Sequence, residues 1–97
     1  MKAIFIAYNQ AYNEEVVELL SSLRQRGFTR WQNVEGKGGF NGEPHLGNHA
    51  WPVLNQAVLT MVPDEKVDTV MEQLKSLDEG SKDLGLRAFV WNIENYI

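Results

Sequence analysis

The sequence predicts an α+β sandwich in the order βαββαβ: a four-stranded antiparallel sheet with two helices on one face. Three observations carry this. The same helix-opening pattern occurs twice, 51 positions apart: Asn13-Glu14-Glu15-Val16 leads to Leu19, Leu20 and Leu23, and Asp64-Glu65-Lys66-Val67 leads to Val70, Met71 and Leu74. Each copy sets a side chain able to cap backbone N–H groups, and then Glu, ahead of apolar residues at helical spacing. Each follows an apolar run, Ala3 to Tyr8 or Ala57 to Val62, and precedes a second strand candidate. The 97 residues suffice for one domain spanning 1–97, with roughly 60–70% of the unfolded chain's surface buried on folding.

The first strand is expected over Lys2 to Tyr8, with Ala3, Phe5 and Ala7 on one face and Ile4, Ile6 and Tyr8 on the other. A sheet with one solvated face would alternate apolar and polar residues, so both faces here are expected to be covered. Helix one is expected from Glu14 to Arg26, ending at Gly27. Strand two follows over Phe28 to Glu35, and strand three over Val53 to Val62, where Pro63 ends it. Helix two starts after an Asp64 cap and runs to Asp78, with Val67, Val70, Met71, Leu74 and Leu77 in one stripe. The polar turn Glu79 to Gly85 leads into strand four, Leu86 to Ile93, again apolar on both faces. Right-handed crossovers make this order a ferredoxin-like sandwich. Two helices cover one side of such a sheet, so the other apolar side needs a partner, most simply another copy of the chain.

Composition removes several classes of function. The formal net charge is −4, and the nine Lys and Arg are scattered singly, with no basic stripe for nucleic acid. Without cysteine there are no disulfides, thiolate metal sites or cysteine nucleophiles. The apolar run at the amino terminus is too short for a signal peptide, and no segment approaches a membrane span, which points to a soluble cytoplasmic protein without membrane insertion. Both histidines lie in one loop and no serine is paired with either by a known motif, so no catalytic residues are assigned and no enzyme is expected.

The segment from Gly36 to Pro52 stands out. It holds five of the eight glycines, both histidines and two of the three prolines, where a hairpin needs only about two to five residues. Gly36-Lys37-Gly38-Gly39 offers backbone N–H groups that can converge on an anion, with Lys37 adding charge; glycines serving only a tight twist are the competing reading. It matches no phosphate-loop or dinucleotide fingerprint. His45 and His49 stand four apart beside Glu43, so a helical turn there would let them share a divalent metal ion. Exposed or structurally hydrogen-bonded histidines are the plainer alternative. Trp51, before Pro52, is expected to anchor the loop's return to the core.

Taken together, Val34-Glu35-Gly36-Lys37-Gly38, Val62-Pro63-Asp64, Val67-Asp68-Thr69-Val70 and Arg87-Ala88-Phe89-Val90-Trp91 resemble the PII signal-transduction superfamily, in particular its shorter PII-like members. The resemblance implies a homo-trimer that binds a small ligand, an adenine nucleotide or related metabolite, in clefts between subunits. It also implies that residues 36–52 correspond to the T-loop that docks on a protein target. By position, Gly36, Lys37, Gly38 and Gly39 sit at the loop base. Residues 81–87, with Lys82 and Arg87, match a second phosphate-contacting loop. The alternative is a divalent-metal-binding trimer like the CutA-type proteins of the same fold, using His45, His49 and Glu43. An acylphosphatase-like enzyme is disfavoured, because Ala7-Tyr8-Asn9-Gln10 carries no glycine-rich phosphate loop.

Overall fold

A computed structural model describes residues 1–38 and 42–97. The strands are β1 (Lys2–Asn9), β2 (Thr29–Val34), β3 (Asn55–Val62) and β4 (Arg87–Asn92); the helices are α1 (Asn13–Ser22) and α2 (Val67–Glu79). They form the expected α+β fold, one antiparallel sheet in the order β2-β3-β1-β4. Among the described residues no helix is long and apolar enough to cross a membrane.

The period-two pattern of β1 decides which side chains meet the helices. Ile4, Ile6 and Tyr8 are fully buried and pack with Val58 and Val62 of β3 beneath Val16 and Leu20 of α1 and Val67, Val70 and Leu74 of α2. The other face has no helix. Register sets Ala3, Phe5 and Ala7 beside Met61, Leu59 and Ala57 on one side and Trp91, Phe89 and Arg87 on the other. Phe89 is 56% exposed, Trp91 49%, and Met61 and Trp31 45% each, a contiguous apolar sheet face open to solvent.

Several expected boundaries move, for reasons in the tertiary structure. Helix one stops at Ser22 rather than Arg26, because Arg24 takes a left-handed conformation (φ 61°). The Gln25 N–H donates to the Leu20 carbonyl (2.8 Å) and the Arg24 N–H to Ser21 (2.9 Å), a pairing that closes a helix end. Gln25 is then buried, its Nε2 donating to Thr60 Oγ1 (2.6 Å) and the Met61 carbonyl (2.7 Å); Thr60 in turn donates to the Gly27 carbonyl (2.7 Å). This pin to β3 holds residues 25–27 out of the helix, so Gly27 is not its terminator.

Neither expected capping side chain caps its α-helix. Each helix is instead entered through a 3-10 turn, Gln10–Tyr12 or Asp64–Lys66. Asn9 Oδ1 accepts from the Ala11 N–H (3.0 Å) at the first turn. Asn13 Oδ1 is occupied by the Tyr8 hydroxyl (2.9 Å) and the Gln56 amide. Asp64 Oδ1 accepts from the Met1 ammonium (2.6 Å), which holds its carboxyl below the usual carboxylate range. Trp51, expected as an anchor in the core, is 40% exposed; its N–H donates to Asn48 Oδ1 (2.8 Å) and its carbonyl accepts from the Asn48 N–H (3.1 Å) in a surface turn.

Candidate functional site

Two loops leave the same end of the sheet and meet. After β2 the chain runs into Gly36, which exchanges both backbone hydrogen bonds with His45 (2.8 and 2.6 Å). The His45 ring donates from Nδ1 to Asn55 Oδ1 (2.6 Å) at the start of β3, so the loop base is tied at three points. Glycine leaves room at 36 for this tie, since a Cβ there would lie 2.5 Å from Asn55 Nδ2 and the Asn55 side chain would have to shift. The second loop, after α2, bends through left-handed residues Asp83 and Gly85 (φ 59° each). Buried Leu84 holds it down, with the Leu84 and Asp83 carbonyls accepting from the Asn9 N–H (2.9 Å) and Asn9 Nδ2 (3.1 Å). A Cβ on Gly85 would sit 3.8 Å from His45 Cε1, so the two loops are nearly in contact.

Between them, on the open sheet face, lies a hollow of about 470 Å³. Phe5, Ala7, Ala57, Trp31 and Phe89 give it an apolar floor; Gly36, Lys37, Gly38, Gly85 and Arg87 form its rim, together with one carboxylate, Glu35. A neighbouring hollow of about 480 Å³ shares Gly38, Gly85 and Arg87 with it and adds Glu43, His45 and Asp83. Arg87 leaves β4 with its Nη1 donating to the Leu86 carbonyl (2.9 Å). Two cationic side chains and glycine-rich backbone thus border an aromatic floor. Such an arrangement suits a flat ring joined to an anionic group: the floor covers the ring while N–H groups and cations take the charge.

The family motif matched here is described as nitrogen regulatory protein P-II, and it covers residues 1–97. The chain belongs to the P-II family. Its fold is that of CPII, a nitrogen regulatory PII-like protein from Thiomonas intermedia K12. One CPII structure, bound to ADP, AMP and bicarbonate, is 24% identical with a TM-score of 0.77, covering 95% of this chain and 84% of that one. Another, bound to ADP and bicarbonate, is 25% identical with the same TM-score and coverage. A PII-like signalling protein from Thermus thermophilus is 21% identical, with a TM-score of 0.69 over 95% of this chain and 85% of that one. No curated protein matches the chain significantly. Nothing in these similarities favours the CutA-type alternative.

Of the residues that the sequence singled out in this P-II chain, Gly36, Lys37, Gly38 and Arg87 come together on one rim. Gly39 lies outside the described residues. Lys82 lines neither hollow; it contributes its main-chain carbonyl, which accepts from the Tyr12 hydroxyl. The helical turn that would pair the two imidazoles does not form: His45 lies in a β-bridge and His49 is exposed in a bend. Among the described residues no group of three or more His, Cys, Asp or Glu could hold a metal ion. The sequence reading missed Trp31, Ala57 and Gly85, which reach the site through strand register and a left-handed turn.

Proposed function

We propose that this P-II-family protein is a non-enzymatic regulator, a trimer that binds an adenine nucleotide between subunits and signals to a protein target through residues 36–52. One observation carries the reading: Lys37, Arg87 and the Gly36–Gly38 backbone surround an aromatic floor on a sheet face left uncovered by the helices. A second subunit laid on that face would turn an open hollow into a closed cleft, which strengthens each charged contact by excluding water. The nucleotides named for the Thiomonas CPII structures, ADP and AMP, have the ring-plus-anion chemistry that this site suits. Because Gly36 to Gly38 belong to both the rim and the loop, a bound phosphate would act on the backbone that leads to the partner-docking segment.

Calorimetry with ATP, ADP and AMP tests the ligand. At least one should bind the wild type, and Arg87→Ala should weaken it by about tenfold or more, the loss expected for a charge-assisted contact. Absence of heat from all three at millimolar concentration would refute nucleotide sensing, as would undiminished affinity in Arg87→Ala.

A further inference from the structure

A third hollow, of about 540 Å³, lies on the helix side of the same end of the sheet. Its lining contains no ionisable side chain, but it gathers six of the chain's thirteen carboxamides: Asn9, Gln10, Asn13, Gln32, Asn33 and Gln56. Ala11, Pro52, Val53 and Leu54 supply the apolar part of the wall.

A distortion in β2 builds this cluster. Trp31 pairs with Ala57 and Val34 with Asn55, so Gln32 and Asn33 together stand opposite the single residue Gln56. Asn33 accommodates the extra residue by adopting φ 57°. In a regular strand, residues 32 and 33 would face opposite sides of the sheet; the bulge lets both line one cavity. Left-handed backbone at a non-glycine residue costs energy, and such residues cluster at functional sites. Beneath the bulge the cavity floor is fixed. Gln56 is 3% exposed, and its Nε2 donates to the Tyr8 hydroxyl (2.8 Å) and to Asn13 Oδ1. Tyr8 also donates to Asn13 Oδ1 (2.9 Å). Those bonds use the Gln56 amide nitrogen and the Asn13 oxygen, leaving the Gln56 oxygen and the Asn13 nitrogen to face a ligand. Among the described residues, the side chains of Gln10, Gln32 and Asn33 make no hydrogen bond, and all three residues line the cavity.

We propose that this basin binds an uncharged small molecule presenting an amide-like edge, with a donor and an acceptor side by side as in a nucleobase or a primary carboxamide. Carboxamides pair with such an edge through two parallel hydrogen bonds, as they do with base edges in nucleic-acid recognition. An ion would lose its hydration there with no opposite charge to replace it. The site is distinct from the loop-base hollow, because Gln56 and Asn13 lie on the helix side while Phe5, Ala57 and Phe89 lie on the open side. The basin lies on the opposite side of the sheet from the open face through which self-association is proposed.

The test is ¹H–¹⁵N spectroscopy of the full chain, following the side-chain NH₂ signals of Gln32, Asn33 and Gln56. The probes are nicotinamide and uracil, with nicotinate and orotate as anionic counterparts of similar shape. At least one neutral probe should move these signals saturably, and its anion should bind at least about tenfold more weakly. Gln32→Ala with Asn33→Gly should weaken binding by about tenfold, glycine keeping the left-handed turn while removing the amide. Gln32→Ala alone, at an exposed position, should weaken it in the same direction if the double variant does not fold. No saturable shift from either neutral probe, equal binding of the anions, or unchanged affinity in the variants would each overturn the proposal. An ADP titration read at Gly38 and Arg87 reports separately on the loop-base site.

Discussion

Replacing Trp91 by glutamate tests the covered-face argument most directly. Trp91 is 49% exposed, so on a residue that buries up to about 250 Å² some 120 Å² awaits a partner. At about 25 cal/mol per Å² its coverage contributes about 3 kcal/mol per subunit, or about 9 kcal/mol in a trimer. The half-dissociation concentration of a monomer–trimer equilibrium follows the inverse square root of the association constant. With about 1.4 kcal/mol per factor of ten, losing these contacts raises that concentration by about a thousandfold. A carboxylate forced against a second apolar face adds a desolvation cost in the same direction. Sedimentation velocity over a dilution series measures the effect: the wild type should sediment near three times its 11.1 kDa chain mass, and Trp91→Glu should fall to one. Gln73→Glu, at an exposed position of α2, is the control and should not change assembly. A wild type monomeric throughout, or a Trp91→Glu variant assembling at wild-type concentrations, would refute the reasoning.

Two further outcomes follow from local geometry. Gly36→Ala places a methyl 2.5 Å from Asn55 Nδ2 and should displace the side chain that holds His45, costing about 1–2 kcal/mol. Urea unfolding checks that cost, and amide exchange at Gly36 and His45 should accelerate; unchanged exchange counts against the three-point tie. Burial raises the Tyr8 phenol above its ordinary pKa of about 10, against smaller opposing effects of the Gln56 hydrogen bond and the Arg30 charge. The native state therefore holds the proton where the unfolded chain releases it. Stability from this group is full below pH ~10 and is lost as pH rises from there through the folded-state value. Unfolding free energies above pH ~10 should fall less steeply in Tyr8→Phe than in the wild type; equal slopes would exclude Tyr8 as the cause.

The architecture was legible because it rests on periodicity. The two-residue period of a strand sorts β1 and β4 into two apolar faces, the stripe of α2 marks its inward side, and the repeat places the helices between strands. The end of helix one was not legible. Gly27 carries the stop signal in the sequence, but Arg24 makes the left-handed turn because Gln25 is drawn to Thr60, 35 residues further along the chain. The site divides the same way. Gly36, Lys37, Gly38 and Arg87 lie in motifs that can be read locally. Trp31 and Ala57 join them only through pairing across β2 and β3, and Asn33, although asparagine tolerates left-handed backbone, does not by itself mark where a bulge falls. His45 illustrates a third case: its spacing to His49 suggested a shared ion, whereas Asn55, ten residues later, supplies the hydrogen bond that its ring uses.

Under the proposed reading, coupling between ligand and loop would run through shared backbone rather than distance. Gly36 is at once a rim residue of the hollow and one half of the bridge to His45, and His45 faces Gly85 on the opposing rim. An anion drawing the amides of Gly36 to Gly38 toward Arg87 competes with, or reinforces, the geometry that this bridge requires. Bridged and unbridged arrangements of Gly36 and His45 would then differ in their affinity for the anion, and that difference bounds how far a ligand could shift the loop. A ligand reaching only the apolar floor of Phe5 and Ala57 would touch none of these groups and would leave the loop where it was. Regulation under the proposed reading therefore depends on the charged end of the ligand, and adenosine should occupy the floor without moving the His45 backbone signals that ADP moves.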